Sequence, residues 1–351
     1  MSSTQNVYDI GPTEVQSAQD VFRNQSGLGI DYLLENDDRE RARMIANRGA
    51  LEYEEWKALT DTVVGARRQS LNLLSALEGA GLSTDADIAE LVTKWQTADH
   101  ISEDAEISVE YGHRSDEEDI TFGLDGAPLP LFQKYWRIDR RFLEHSRRGP
   151  GGPLDTRIAA QLTRAVENTI EDAFLNGWNR PIDGYEMFGF LNHPDTNPVT
   201  GSDWGDATAG HENARDDILD GIEALENDEY DGPYHLGLAR QEGQQLRRTL
   251  DDFGGGNTGE GNMLNRIQEE FSDEISSVFV TKNVPDGEAL LYQPTPDVVQ
   301  VGMAEDVQPV EWQAADGSTV YVKIMAAMNI QLASTAESQM GVAHLTGVDG
   351  T

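Results

Sequence analysis

The sequence lacks cysteine and is poor in basic residues. Its 351 residues include no Cys and five lysines, and 26 Lys and Arg together stand against 63 Asp and Glu, so the formal net charge is −37. The absence of cysteine excludes disulfides, thiolate metal sites and a cysteine nucleophile. The shortage of positive charge excludes a protein that grips nucleic acid through a wholly basic surface, and one that docks on anionic membranes.

Long hydrophobic runs are also missing. The first 30 residues contain no apolar segment typical of signal peptides, and the most apolar stretch, residues 320–333, is interrupted by Lys323. These features predict a soluble chain with neither a signal peptide nor a transmembrane helix. The length allows one large domain or two ordinary domains with a substantial core.

The excess of acidic residues indicates the salt concentration in which the protein works. A charge of −37 would destabilise a compact chain through self-repulsion unless ions screened it. At about 1 M salt the Debye length is about 3 Å, so neighbouring carboxylates hardly interact. The composition therefore predicts adaptation to a salt-loaded cytoplasm, as in haloarchaea, and the alternative is an acidic mesophilic protein.

One glycine-rich segment has the spacing of a nucleotide-binding loop but not its context. Gly254, Gly256 and Gly259 fit the pattern G-x-G-x-x-G, which in a dinucleotide site follows a strand and opens a helix. Here the preceding segment is predicted to be a helix, and Glu260 stands where a P-loop would need lysine. We interpret this segment as a flexible surface loop.

Other motifs of enzymes and metal proteins are absent. No two of the seven histidines lie three or four residues apart, and no calcium-loop pattern occurs. Residues 201–205 are predicted to form a turn and lack the serine elbow of hydrolases. Paired acids such as Asp216 and Asp217 are interpreted as solvated surface. The sequence thus predicts no enzyme and no cofactor, and leaves open whether a cation binds between subunits.

Basic residues gather in two segments. Residues 137–164 hold seven arginines against three acids, and residues 39–68 hold seven Lys and Arg against five acids. Arginine makes bidentate pairs with carboxylate and phosphate, so a basic face could meet a polyanion or an acidic neighbour. The alternative is that these arginines form salt bridges within the chain. The candidate interface or DNA-facing cluster consists of Arg137, Arg140, Arg141, Arg147 and Arg148.

Hydrophobic spacing predicts a chain that mixes helices and strands after a polar N-terminal arm. Helices are predicted at 51–77, 84–95, 155–178, 213–226, 240–252 and 262–271. Strands are predicted at 107–111, 120–124, 278–284, 289–293, 298–303 and 319–332. The first two strands would form a hairpin with an acidic tip. Because so polar a hairpin has little to pack on, we expect it to lean on something else, such as another subunit.

The order of these elements resembles the encapsulins and the related major capsid proteins of tailed viruses with the Hong Kong 97-type fold. The resemblance covers about residues 51–347, and its motifs are individually short. They are Leu51-x-x-x-x-Trp56, the segment 128–131 (PLPL), the helix end 172–177 (DAFLNG), the segment 188–192 (FGFLN) and the segment 231–234 (DGPY).

The resemblance implies an α+β fold with an N-terminal arm, an extended E-loop, a spine helix, and peripheral and axial domains. The implied segments are the arm 1–50, N-terminal helices 51–100, E-loop 101–137, peripheral domain 138–204 with spine helix 154–178, axial domain 205–290, and a return to the peripheral domain at 291–351. It also implies that a glycine-rich loop lies at the capsomer axis, with Gly254, Gly255, Gly256, Gly259 and Gly261.

The function implied is that of a major capsid protein of a tailed virus infecting a halophilic archaeon. Such a protein would self-assemble into pentamers and hexamers of an icosahedral shell around double-stranded DNA, which it would contact without sequence specificity. We expect it in the virion, assembled in the host cytoplasm, with portal, scaffold and cement proteins as further partners and no membrane. The alternative is an encapsulin shell around an enzyme cargo. The arm of about 50 residues before Trp56 favours the virus, because encapsulins usually begin close to that helix.

Overall fold

The computed structural model of the chain describes residues 51, 53–70, 73–98, 122–148, 156–206, 209–247, 262–314, 317–335 and 337–349. It divides into two compact units, each assembled from separate stretches of chain. The first unit takes its described residues from Met1–Gln69, Gln133–Val166 and Val307–Met325. The second takes them from Ser70–Phe132, Glu167–Asp306 and Ala326–Thr351. The N-terminal arm 1–50 and the E-loop residues 101–121 lie outside the described residues.

Helices and strands alternate along the described chain, as expected for an α+β fold. The helices are α1 (Tyr53–Ser70), α2 (Leu73–Gly79), α3 (Arg140–Arg148), α4 (Thr156–Asn176), α5 (Gly210–Asn227), α6 (Arg240–Gln245) and α7 (Met263–Glu270). The strands are β1 (Ser83–Asp85), β2 (Val92–Ala98), β3 (Phe122–Pro128), β4 (Leu131–Asp139), β5 (Trp178–Ile182), β6 (Tyr185–Met187), β7 (Asn197–Thr200), β8 (Tyr234–Leu238), β9 (Ile275–Val280), β10 (Glu288–Tyr292), β11 (Val299–Gln313), β12 (Thr319–Leu332) and β13 (Val342–Thr346). No described helix is long and apolar enough to cross a membrane.

The first unit is built on the sheet in which β12 lies between β11 and β4. On β4 the inward side chain Ile138 is buried, while its neighbours Arg137 and Asp139 are exposed. This alternation gives the sheet one apolar face. Helices α1, α3 and the beginning of α4 cover that face through a buried cluster of Leu59, Ile138, Leu143, Ala159, Val320 and Val322.

The second unit is built on a five-stranded sheet in the order β7-β13-β10-β8-β9. Strand β8 is buried along its whole length, which agrees with its place beside β10 and β9 inside the sheet. Helix α5 packs on β13 and β7. Gly221 of α5 lies in this contact, where a Cβ would make ordinary van der Waals contact, 3.5 Å from the side chain of Leu291 and 3.6 Å from that of Leu345.

The long helix predicted at 155–178 is confirmed as α4, and its end has a local cause. Gly177 adopts a φ of +74°, a conformation that favours glycine, and its N–H donates to the carbonyl of Ala173 over 2.9 Å. A Cβ at Gly177 would come within 2.7 Å of the carbonyl oxygen of Met187. The chain therefore leaves the helix here in a way that only glycine allows without strain. The assignment of α4 as the spine helix stays a prediction.

The prediction of a helix at 84–95 is wrong. This segment contains β1 and β2 instead, and β2 pairs antiparallel with β3 from Val92 opposite Pro128 to Ala98 opposite Phe122. The prediction depended on Asp85 and Asp87 as acidic residues of a helix's first turn; Asp85 instead ends β1, and Asp87 lies in the connection between the two strands. β-Branched and aromatic residues of β2, such as Val92 and Trp95, fit the strand pairing that tertiary structure provides.

Several other boundaries differ from the sequence-based prediction. The helix predicted at 240–252 ends at Gln245, followed by a turn to Arg247. The strand predicted at 278–284 lies at 275–280, because Asn283 and Val284 are in a bend. The strand predicted at 298–303 continues to Gln313. The strand predicted at 319–332 is confirmed over its full length. Residues 107–111 of the predicted hairpin lie outside the described residues.

Candidate functional site

The predicted basic cluster lies where β4 passes into α3. Arg137 is near the end of the strand, and Arg140 and Arg141 open the helix; the side chains of all three are exposed. The backbone N–H of Arg140 donates to the carbonyl of Ser318 over 2.9 Å, which holds the start of α3 against the connection between β11 and β12. Arg148 ends the helix, and its side chain lies outside the described residues.

Arg147 differs from the other members because it is engaged inside the first unit. Its Nε and Nη2 donate to the two carboxylate oxygens of Glu55 over 2.9 and 2.7 Å, and its Nη1 donates to Glu144 over 3.3 Å. Glu55 on α1 is 1% exposed. A bidentate pair of this kind is directional and fixes both side chains. Arg147 therefore ties α3 to α1, which is the intrachain alternative considered for this cluster.

A second buried carboxylate lies near this pair. Glu311 of β11 is 7% exposed, and its Oε1 has no hydrogen-bond partner among the described residues. Burial raises the pKa of Glu311 to about 7 and the negative charge of Glu55 adds to that rise, against lowering by a backbone hydrogen bond from Leu51 and by Arg147. Arg147 thus binds Glu55 directly and acts on Glu311 only through its positive charge. Because burial outweighs that charge, Glu311 holds its proton at mildly acidic pH.

Three aromatic side chains form a ladder across the outward face of the sheet in the first unit. The ladder consists of Trp312 on β11, Tyr321 on β12 and Tyr135 on β4. The rings of Trp312 and Tyr321 stack with centroids 5.1 Å apart and planes 9° apart. The Tyr135 ring lies 6.3 Å from Tyr321 and 6.4 Å from Trp312. Tyr135 is 65% exposed and Trp312 is 41% exposed, so the aromatic ladder presents a large apolar surface to solvent.

Cations border the aromatic ladder. Arg137 follows Tyr135 by two residues on β4 and so projects from the same face of the strand. Lys323 follows Tyr321 by two residues on β12, and its Nζ lies 3.4 Å from Oε1 of Gln133. The sequence reasoning found Arg137 but missed the aromatic ladder. The signal that could have found it is the alternation around Trp312, which required extending β11 to residue 313.

The predicted capsomer-axis loop cannot be placed. Residues Gly254, Gly255, Gly256, Gly259 and Gly261 lie outside the described residues, as do the flanking positions 248–250. The structure begins again at Asn262, whose side chain accepts a hydrogen bond from the N–H of Asn265 over 2.9 Å and caps α7. The role of this loop therefore stays a prediction.

The paired acids of α5 do not both lie in solvent. Asp216 is exposed, but Asp217 is 4% exposed and its Oδ2 accepts hydrogen bonds from the N–H of Ser202 over 2.7 Å and from Trp204 Nε1 over 2.6 Å. Burial raises the pKa of Asp217 despite these donors. The interpretation of Asp217 as solvated surface is wrong, because the turn at 201–205 folds over it.

The second unit has a small cavity lined by both polar and apolar residues. Trp95, Asp125, Glu186 and His193 are among its lining residues, and it has about 10 Å³ of room for the centre of a water molecule. That volume corresponds to about one water, not to a substrate or an organic cofactor. Among the described residues, no three His, Asp or Glu side chains converge as metal ligands.

A family model named Linocin_M18 and described as "Encapsulating protein for peroxidase" matches residues 107–328. This span is more than half of the chain. No curated protein matches the sequence as a relative.

Solved structures of similar fold come from capsids and particles. A virus-like particle from Pyrococcus furiosus is 15% identical, with a TM-score of 0.57 over 84% of this chain and 100% of that chain. The capsid of Myoviridae Phage XM1 is 14% identical, with a TM-score of 0.55, and the match covers 80% of this chain and 93% of that chain. The capsid of a native GTA particle is 14% identical, with a TM-score of 0.55, and the match covers 79% of this chain and 93% of that chain. The predicted α+β fold of Hong Kong 97 type is confirmed.

Proposed function

The chain belongs to the Linocin_M18 family of encapsulating proteins and has the Hong Kong 97-type fold of capsid and encapsulin-type shells, and from this premise we propose that it assembles as pentamers and hexamers into a closed icosahedral shell. The observation that carries the proposal is the fold match over more than three quarters of the chain, together with the family match at 107–328. In such a shell many weak contacts add up to a stable particle.

We propose further that the shell encloses double-stranded DNA as the major capsid protein of a tailed virus of a halophilic archaeon. The sequence supports this with at least 50 residues before α1, which could lace subunits together. The exposed Arg137, Arg140 and Arg141 offer non-specific contacts to phosphate. The charge of −37 supports a high-salt setting, in which repulsion between the shell and DNA is screened.

The second candidate is an encapsulin shell around an enzyme cargo. It is favoured by the description of the matching family as an encapsulating protein for peroxidase. In both candidates the chain's work is mechanical and not catalytic. Portal, scaffold and cement proteins belong only to the viral candidate, as do a location in the virion and assembly in the host cytoplasm.

The contents of the particles distinguish the two candidates. We would express the full chain in a halophilic host, purify the particles in multimolar NaCl, treat them with nuclease and extract what they protect. A capsid predicts large particles, and their native counterparts from a virus-producing culture should protect genome-length double-stranded DNA. Particles that are uniformly small and contain a co-purified enzyme from the same gene neighbourhood would contradict the capsid and support the second candidate.

A further inference from the structure

The two units differ strongly in charge. Over the stretches of chain that form each unit, the first has 17 Lys and Arg and 17 Asp and Glu, whereas the second has 9 Lys and Arg against 46 Asp and Glu. The net charge of −37 therefore lies on the second unit, and among the described residues of the first unit 12 Lys and Arg stand against 6 Asp and Glu. A second copy of the chain offers these cations an acidic surface, and the shell proposed above brings many copies together.

The aromatic ladder places three rings together on an exposed face of the first unit, whereas the other described apolar side chains that are exposed in this unit, Val64 and Phe142, lie singly on α1 and α3. A flat stack of Trp312 and Tyr321 beside the 65% exposed Tyr135 would be an unusual surface to leave in water. Aromatic residues and arginine are the side chains most enriched at the centres of protein interfaces. Burial of two or three such rings contributes affinity that salt does not screen, because high salt strengthens apolar association.

We propose that the aromatic ladder and its cationic border, Arg137 and Lys323, form an assembly face that receives an acidic surface of the second unit of a neighbouring copy. The contact would be heterologous, since two different surfaces of the same chain meet, and repeated heterologous contacts close into rings. The rings would be the capsomers of the proposed shell, so this inference rests on the proposed function. The aromatic rings would supply affinity, and the cations would select acidic surface over other apolar contacts.

The charge complementarity favours a second copy over nucleic acid as the occupant. Aromatic rings flanked by cations can also stack the bases of single-stranded nucleic acid. However, two cations directly at the aromatic ladder neutralise few phosphates, whereas the excess of acid in the second unit is present in every neighbouring copy. Nucleic acid on this face is therefore an outcome that the test must detect.

The test compares the assembly of four variants of the full chain with that of the wild type in multimolar NaCl. Trp312→Ser combined with Tyr321→Ser removes the stacked pair, and Lys323→Glu reverses one charge at its border. Val64→Ser removes an apolar side chain that is 45% exposed on α1, and Lys57→Glu reverses an exposed charge on the same helix. The last two are controls in the first unit but away from the aromatic ladder. Analytical ultracentrifugation gives the fraction of each chain in particles, and circular dichroism with thermal melting shows that each variant folds.

At a fixed concentration, we expect the assembled fraction of the double aromatic variant to fall at least about tenfold below that of the wild type. The assembled fraction of Lys323→Glu should fall less, and both controls should assemble like the wild type. Folded ladder variants that assemble normally would overturn the inference and leave the proposed function standing. Variants that form normal shells but lose bound nucleic acid would also overturn it, in favour of a nucleic-acid face. If the wild type forms no particles, the proposed function itself fails. Should the double variant not fold, Trp312→Phe with Lys323→Glu repeats the comparison with a smaller expected loss.

Discussion

The first unit holds its buried Glu55 beside a cation, whereas two buried carboxylates of the second unit, Asp217 and Glu242, accept hydrogen bonds from neutral donors. In the first unit, Glu55 accepts hydrogen bonds from Nε and Nη2 of Arg147. In the second unit, Asp217 accepts from Ser202 N–H and Trp204 Nε1, and the fully buried Glu242 accepts from the N–H of Gly287 over 2.8 Å. This acidic chain thus uses one of its few arginines to bind Glu55 where α1 and α3 meet, and backbone or indole donors to bind Asp217 and Glu242.

This difference has a consequence for protonation. Burial raises the pKa of both Asp217 and Glu242, and neighbouring acids add to the rise. A raised pKa means that the folded chain holds protons more tightly than the unfolded chain does. Stability from these groups is therefore greatest at acidic pH and falls as pH rises.

The largest expected effect follows from removing the cation of the buried pair. Arg147→Met would remove the guanidinium that donates to both carboxylate oxygens of the buried Glu55, and breaking such a pair by removing one partner costs about 3–5 kcal/mol. Chemical denaturation of the unassembled chain at neutral pH measures this loss. Arg141→Met, an exposed arginine of the same helix, should change stability by less than about 0.5 kcal/mol. Equal effects of the two substitutions would refute the distinction between buried and exposed arginines.

Glu311 tests the pH dependence in the first unit. Its pKa rises from 4.5 to about 7 on folding, so the stability that the proton supplies is complete below about pH 4.5 and is lost as pH rises through about 7. The loss amounts to at most about 3 kcal/mol. Glu311→Gln should flatten the dependence of unfolding free energy on pH and stabilise the chain at pH 8 more than at pH 5. A variant with the same pH profile as the wild type would show that Glu311 is not the titrating group.

Trp204 tests the neutral donors of the second unit. Trp204→Phe keeps most of the buried ring but removes the Nε1 donor to Asp217, and losing one hydrogen bond to a charged group costs about 1.5–3 kcal/mol. The control is a double-mutant cycle with Asp217→Asn, in which the cost of Trp204→Phe should shrink. An unchanged cost in that background would mean that ring packing, and not the hydrogen bond, accounts for the loss.

The smallest effect on stability is expected from the exposed arginines at the start of α3. Arg140→Gln with Arg141→Gln should change the unfolding free energy by less than about 0.5 kcal/mol, since both side chains are exposed. The same change should weaken assembly or the retention of DNA, measured by particle yield and by nuclease-protected DNA. Normal filled particles would show that these arginines are not part of an interface or a DNA-facing surface.

Helices and strands could be predicted where the signal lies within their own residues. Helix α4 was predictable because its apolar side chains recur at helical spacing and Gly177 ends it. Strand β12 was predictable because its residues have high β-propensity; its burial alternates in the first half, whereas residues 326–330 are buried without a break. The resemblance to shell proteins came from the order of such elements, which is why the fold could be expected even though each motif is short.

Contacts between distant residues could not be predicted in the same way. Glu55 and Arg147 are 92 positions apart, and nothing near either residue indicates the other. Trp312 was missed because Glu305, Asp306 and Pro309 made the second half of β11 look like a loop. The helix wrongly predicted at 84–95 shows that capping signals do not outweigh the pairing of β2 with β3. The aromatic ladder needed three strands to be placed side by side, which only tertiary structure provides.

The central claim is that the chain is a shell subunit whose aromatic ladder and bordering cations meet the acidic second unit of its neighbour. A cryo-electron microscopy reconstruction of particles purified in multimolar NaCl tests it most directly. The account predicts a closed icosahedral shell of pentamers and hexamers in which Trp312 and Tyr321 are buried against acidic side chains of an adjacent copy. A protein that remains monomeric under these conditions, or a shell in which the aromatic ladder faces solvent, would contradict it.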